Sequence, residues 1–496
     1  MSTPLTGAEA KRGARPENLR LEALIGECGI SRKGFAHRLN QLCTERGVHS
    51  DYTHTSVANW CRRGMRPRWP VPDLICVVLA ERLGRPVGLA DIGMEGCGRL
   101  RRSGNAGGED LDAGLRFPRE QPQALSEMTT YWSTLNRRNF LAATPFAASA
   151  FSEPVTRWLV SPAEPASGGL PAAGAMAAEP VLAPGGRLPV GRAHIEELRE
   201  VADSARRWDS RFGGAATKSR SITAYLDERV SPLLRGRYTD AIGRELFSVT
   251  SQMARLAGWT AFDAGEHQAA QRHYIQALRL ARAAGDEGLG AYILTTMAMQ
   301  ALMRGFASQA IDMAQGAYER VPDADPRVRG FAKLIEARAH ARSGDARSAS
   351  GCLARSEHLQ EQAEDGGGRG SDLAWIEFFN RQRIVTDAVE LFRDLGNPRA
   401  VFAWQAQGAM PGDAFARSRG IRLSMLASAH AQRGDLDQSL RLGRESLGLF
   451  TRLQSARGVD YLRLYSRSLQ RWQREPAVVA YLGDVRKLGR TLTTAA

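Results

Sequence analysis

The chain has 496 residues, 43% of them apolar, which is enough for two to four domains with real cores and excludes a peptide or a fibre. Lys+Arg number 67 against 53 Asp+Glu, a formal charge of +14 that makes an anionic partner worth seeking, although only five of the cations are lysine, the bias a GC-rich genome produces. No run of eighteen apolar residues occurs and the amino terminus lacks the apolar core of a secretory signal, so a cytoplasmic chain without a membrane partner is expected.

The basic charge is concentrated at the front, where residues 1–102 hold 17 Lys+Arg against 10 Asp+Glu. Leu19, Leu21, Leu24 and Ile25 fall at helical spacing, Gly29 ends that helix, and Ser31 is a good N-cap for a second helix carrying Phe35, Leu39 and Leu42. After a polar loop from Thr44 to Asp51, a third helix is predicted from about Thr53 to Arg63. Val57 and Trp60 would face inward, and His54, Thr55, Ala58, Asn59 and Arg62 outward. Gly64 and the prolines Pro67, Pro70 and Pro72 precede an apolar helix, Leu74 to Leu83. Between Asp51 and Asp73 no acidic residue occurs, while Arg62, Arg63, Arg66 and Arg68 lie together, a patch that suits an anionic backbone. A solvated basic face used for protein contacts is the alternative. The six cysteines, Cys28, Cys43, Cys61, Cys76, Cys97 and Cys352, form no CxxC pair and read as small buried hydrophobes, not a zinc module or a disulfide framework.

Residues 161–190 carry six prolines and five glycines among alanines and read as flexible linker. Ahead of them, Asn136-Arg137-Arg138-Asn139-Phe140-Leu141 and the apolar run to Phe151 have the look of a twin-arginine export signal, but their internal position points instead to a short apolar helix docking the linker onto the helical repeats of the second half. From His194 onward the pattern is helical with short breaks at glycine, and it repeats. Gly265-x4-Ala270-x3-Tyr274-x2-Ala277 recurs as Gly305, Ala310, Ala314, Ala317, as Gly344, Ala349, Leu353, Ser356, and as Gly434, Ser439, Gly443, Ser446, with room for one degenerate unit around Leu391 to Gln407. The units are helical hairpins in which glycine makes the turn and the small residues let a neighbouring helix come close. A non-repeating alanine-rich bundle is the alternative. Met297, Met299, Met303 and Met313 are read as packing, with an adaptable groove the second reading.

Two resemblances join these parts. Residues 19–93 resemble the helix-turn-helix domains of lambda-repressor-like (XRE) bacterial regulators through Val57, Trp60, Arg63, Gly64, Arg66 and Pro67, with a longer loop before the third helix. The repeats, best matched by Gly258, Trp259, Gly265, Ala270, Tyr274 and Ala277, resemble tetratricopeptide repeats, and Trp208-Asp209-Ser210-Arg211-Phe212-Gly213-Gly214 looks like a signature of actinomycete regulators that combine the two. Some of that group resemble negative regulators of sporulation and antibiotic production. The resemblance implies an all-α chain with a helix-turn-helix domain over 1–105, a linker with a short apolar segment over 106–193, and an α-solenoid of TPR-like hairpins over 194–496. It implies a transcriptional repressor, with double-stranded DNA as one partner, a peptide or protein effector on the array as another, and homodimerisation open. His54, Thr55 and Asn59 would face base edges, Asn59 by a bidentate contact to adenine, while Arg32, Lys33, Arg62, Arg63, Arg66 and Arg68 would hold phosphates. A repeat scaffold that joins proteins without touching DNA is the competing function.

No enzyme is expected. There is no GxxxxGK[ST] loop, no GxSxG elbow and no GxGxxG after a strand, and His267, His273, His340, His358 and His430 each stand apart from other ligand types, so neither a cofactor nor a metal is anticipated.

Overall fold

Asn18, Gly29 and Ser31 set the geometry of the first helices. The side-chain oxygen of Asn18 accepts the Leu21 amide at 3.2 Å and caps α1 (Leu19–Glu27). Gly29 turns the chain with φ near 65°, and Ser31 Oγ accepts the Gly34 amide at 3.1 Å to open α2 (Arg32–Glu45). α3 (His54–Arg62) and α4 (Val71–Leu83) complete the set, α4 starting three residues before Leu74 because Pro72 fits a first helical turn. Leu21, Leu24, Phe35, Leu39, Val57, Trp60, Ile75 and Leu79 form one core, in which Cys43, Cys61 and Cys76 are buried as expected, whereas Cys28 and, in the second half, Cys352 are only half-buried; Cys97 lies outside the described residues.

These helices belong to the computed structural model of the protein, which describes residues 17–45, 50–67, 71–83, 85, 87–89, 91–94, 114–135, 146–161, 188–212, 216–367, 373–453 and 455–495. Among the described residues the chain is all-α, with one isolated bridge between Pro189 and Arg237. It divides into two compact units, Met1–Glu109 with Thr144–Ala147, and Asp110–Ala143 with Ala148–Ala496.

The second unit begins well before residue 194. Within the stretch expected to be linker, α5 (Gln121–Leu135) packs on the later helices α8 (Ala216–Tyr225) and α11 (His267–Ala284), and α6 (Ser152–Val160) packs on α11 and α13 (Ala307–Arg320). Proline and glycine dominate the pattern of 161–190, whereas in the residues before it Phe117, Tyr131, Trp132, Phe151 and Trp158 are all buried and carry their backbone onto the array. Arg279 fastens the approach, donating from Nε to Pro118 O at 2.7 Å and from Nη2 to Arg119 O at 2.9 Å. The motif Asn136 to Leu141 lies outside the described residues. α7 (Arg192–Phe212) and the short α9 (Ser231–Leu234) complete the entry to the repeats.

Among the described residues six hairpins then run in series: α10 (Asp240–Asp263) with α11, α12 (Glu287–Met303) with α13, α14 (Pro326–Arg342) with α15 (Ala346–Gln362), α16 (Arg381–Asp394) with α17 (Pro398–Gln405), α18 (Ala416–Arg433) with α19 (Leu436–Leu453), and α20 (Ala456–Ser468) with α21 (Pro476–Ala495). They pack in a solenoid-like array, and the alternative of a non-repeating bundle falls. Each of the four turn glycines has positive φ, 84° at Gly265, 90° at Gly305, 83° at Gly344 and 98° at Gly434. The unit with room around Leu391 to Gln407 is the α16–α17 hairpin, turning at Gly396 with φ near 67°. Ala270, Ala277, Ala310, Ala317, Ala349, Ser356, Ser439 and Ser446 are fully buried, and the serines add the same bond twice: Ser356 Oγ donates to Gly330 O and Ser446 Oγ to Gly420 O, each at 2.8 Å. At Gly258 a methyl would stand 2.6 Å from the Tyr274 ring, so glycine is what lets α10 and α11 touch.

The array closes on itself. Asp263, at the end of α10 and 1% exposed, receives Arg417 Nη1 at 2.7 Å and faces Arg457 Nε at 3.2 Å, so the first hairpin is bound to α18 and α20 of the last two. Asp209 of α7 joins them, accepting Trp259 Nε1 at 3.0 Å with Arg417 Nη2 at 3.6 Å. Burial opposes the charge on Arg417, but Asp263 and Asp209 outweigh it and hold the guanidinium above its ordinary range. Asp263→Asn leaves the buried Arg417 and the half-buried Arg457 without their shared anion and should cost about 3–5 kcal/mol in denaturant unfolding of the full chain, whereas Asp460→Asn, at an exposed pair with Arg463, should cost about 0–1 kcal/mol.

Burial also holds His267 and His273 of α11 down to about 3, with Arg304 and Arg272 respectively adding to the effect. Both are neutral in the folded chain, and the unfolded chain binds their protons first. Their contribution is therefore complete above about pH 6.5 and is lost as pH falls toward 3, by up to about 1.4 kcal/mol per pH unit for each. In His273→Phe, urea melts across that window should show a shallower pH dependence; an unchanged slope would contradict the assignment.

Candidate functional site

In the first unit the exposed face of α3 is a basic, polar strip on an apolar helix. Val57 and Trp60 turn into the core, where Tyr52 meets Trp60 edge-on with ring centroids 5.0 Å apart. His54, Thr55 and Arg62 are exposed, Asn59 and Ala58 half-buried between them, and Arg63 and Arg66 exposed beyond the helix end. Spacings of four and eight residues from His54 place Ala58 and Arg62 on one face, and from Thr55 the next position is Asn59. The strip is held from behind: the Asn59 carbonyl accepts the Arg63 amide at 3.1 Å and the Met65 amide at 3.2 Å, with Gly64 at φ near 58° making the turn. Lys33 is exposed at the start of α2, but Arg32 beside it is ion-paired with Glu22 of α1, so its charge already has a partner inside the unit. Arg68 lies outside the described residues.

Two asparagines that sequence reasoning misses position α3. Asn40 of α2 donates from Nδ2 to Tyr52 O at 2.7 Å, while its Oδ1 accepts the Tyr52 amide at 3.0 Å and Ser50 Oγ at 2.9 Å. This clamp fixes the end of the long loop just before His54. Asn18 also donates from Nδ2 to Ile92 O at 2.8 Å, and its amide donates to Cys61 O at 2.6 Å, pinning the end of α3 from the other side. Neither a polar residue inside a helix, Asn40, nor a helix cap, Asn18, carries a periodic signal of such a role. Asn40→Ala removes three bonds that hold the loop before α3; it should destabilise the first unit by about 1–3 kcal/mol, read from hydrogen-exchange protection of the α3 amides.

The second unit has a cavity of about 500 Å³ between α7, α10, α12 and the turn at residues 374–378. Tyr292 and Trp375 stack there with centroids 4.9 Å apart, Phe331 and Phe378 meet edge-on at 5.2 Å, and Arg206, Arg255 and Arg383 reach in. The methionines divide between their two readings: Met297 and Met313 are core, and Met299 lines the cavity beside the guanidiniums of Arg338 and Arg383. Behind the cavity Arg338, Arg342 and Arg393 are paired with Asp387, Glu390 and Asp394, and Tyr461 donates to Glu390 at 2.9 Å.

The fold corrects the expectation that every histidine stands apart from other ligand types. His340 does not: its ring, the Glu336 carboxylate and the Cys352 thiol offer ligand atoms within 4.8 Å of one another. The carboxylate is engaged, by Lys333 Nζ at 2.7 Å and Gln315 Nε2 at 2.9 Å, and burial, aided by Glu336, pushes the Cys352 thiol up to about 12, away from the thiolate a metal would need. Sequence spacing hides the cluster because Cys352 comes from the other helix of the hairpin. Among the described residues no helix is long and apolar enough to cross a membrane.

Compared with known proteins, residues 21–95 match the model of a family described as SP15 N-terminal domain, a stretch that covers most of α1 and all of α2 to α4. No curated protein and no solved structure matches the chain.

Proposed function

We propose that the protein is a DNA-binding transcriptional regulator, acting as a repressor, whose first unit contacts duplex DNA through α3 and whose helical array takes the effector that controls it. One observation carries the reading: α3 buries its apolar side and presents His54, Thr55, Asn59 and Arg62 on the other, with Arg63 and Arg66 exposed beyond its end. A helix supported from behind with a short polar front is the shape that enters a major groove, where side chains read base edges while arginines hold phosphates. The family match falls on this unit and is compatible with the reading. The resemblance to helix-turn-helix regulators with tetratricopeptide arrays supports it from the sequence side, and the serial hairpins suit the second half.

The test is salt-dependent binding of the full chain to duplex DNA. Replacing Arg62, Arg63 and Arg66 with Gln should weaken binding to all sequences alike and lower the slope of log affinity against log salt by about 0.9 for each phosphate no longer neutralised. Asn59→Ala should cost about 1–3 kcal/mol at one base pair of a selected site and leave random duplex unaffected. A slope that does not change, or no duplex affinity at low salt, would overturn the reading in favour of a scaffold whose first unit binds protein.

A further inference from the structure

The cavity of the array holds a buried cation that the described residues leave unsatisfied. Arg255 of α10 is 7% exposed, and its guanidinium lies over the Tyr292 ring, 5.2 Å from the centroid; among the described residues it has neither a hydrogen bond nor an ion pair. Elsewhere in the array buried arginines have hydrogen-bond or ion-pair partners, carboxylates for Arg338 (Glu390, 2.7 Å) and Arg417 (Asp263, 2.7 Å) and a backbone carbonyl for Arg422 (Val385 O, 3.2 Å). An unpaired buried charge is costly, and a protein that keeps one on a cavity wall has the makings of an anion site.

The other charges facing the cavity do not supply the missing partner. Asp209 is engaged by Trp259 and Arg417, Asp203 by Arg206, and Glu377 is exposed at the rim. Arg383 gives its Nε to Asp387 at 2.5 Å and lies over Phe331 and Phe378, 5.6 and 5.5 Å from their centroids. Arg206 is pushed down to about 10, by burial and then by the charge of Arg255. Among the described residues five arginines line the space against three acids, so it is electropositive, and aromatic rings make up part of its lining.

We infer that this cavity is a site for a small organic anion, a carboxylate or phosphate seated on Arg255 and joined to a planar apolar body lying against Tyr292, Trp375 and Phe378. Its volume of about 500 Å³ falls in the ~300–1,000 Å³ range of small-molecule sites. The guanidinium offers two parallel N–H donors to such a group, and Tyr292, Trp375 and the exposed Phe378 line the space for the body. Only the consequence for gene control rests on the effector reading above; the binding does not. The same chemistry has two sources, a free aromatic acid or the carboxyl end of a short peptide, and the probes separate them.

The experiment titrates the full chain with 1-naphthoate, 1-naphthyl phosphate, neutral naphthalene-1-methanol, inorganic phosphate, and a tripeptide ending in tryptophan as free acid and as amide, following tryptophan fluorescence and melting temperature. At least one aromatic anion or the free-acid tripeptide should bind saturably, and its neutral counterpart roughly 10-fold or more weaker. Arg255→Gln should abolish that preference for charge, and in the absence of ligand it should melt no lower than the parent chain, since it removes an unsatisfied cation; a purely structural arginine would lower it. Phe378→Ala, at the exposed edge, should weaken binding of the aromatic probes while leaving the fold intact. The inference is overturned if no anionic probe binds, if charged and neutral probes bind alike, if inorganic phosphate binds as well as the naphthyl phosphate, or if Arg255→Gln retains full affinity. Duplex affinity without probe tests the first unit separately, so either reading can fail alone, and a probe-dependent change in that affinity would join them.

Discussion

Asp263 is the point on which the second unit turns. A carboxylate at the end of the first repeat helix is buried against Arg417 and Arg457, which come from hairpins more than 150 residues later. An open solenoid lets each hairpin depend on its neighbours alone. Here the first hairpin also depends on the fifth and sixth, and the cavity exists because of it, since α7 and Arg417 are brought to the same wall as α10 and α12. Asp209 and Trp259 extend the junction, so a segment that looked like a sequence signature, Trp208 to Gly214, has a structural task at Asp209, while Trp208 remains exposed.

The packing behind the cavity is built from charge rather than oil. Arg338, Glu390, Asp387 and Arg393 bury four charges in contact, and Tyr461 completes Glu390, whose acidity is raised by Arg338 and then Arg393 against the opposing effect of burial. Such groups add little net stability, since desolvation offsets most of the attraction, but each becomes expensive once its partner is gone. They fix which helices may lie together. The contacts within the hairpins are made differently, by alanine, serine and glycine at the close approaches and by aromatic rings such as Tyr274 and Tyr465 filling the space left.

In the first unit, strength and exposure are separated along the same helix. Trp60 and Val57 anchor α3, Asn40 and Asn18 set its two ends, and the outward residues carry no structural burden. A surface arranged in that way can change its contacts without changing its fold. Arg32 is the exception among the outward cations, since its pairing with Glu22 ties α2 to α1.

By itself the sequence determined the local features: the four front helices, the turn glycines of the repeats, the small buried positions five and twelve residues beyond each, and which residues of α3 face out. These come from periodicity and from backbone conformations that glycine alone adopts easily, and both are written in neighbouring residues. The degenerate α16–α17 hairpin was legible only as a gap of the right length, because its helices lack the small-residue pattern. Tertiary structure alone decided that 114–161 belongs largely to the array, that Asp263 closes it, that His340 meets Cys352, and that Arg255 faces a cavity where none of the described carboxylates pairs with it. Each of these depends on partners distant in the chain, and a charge in a sequence does not show whether its counter-charge will be close enough to matter once water has been excluded.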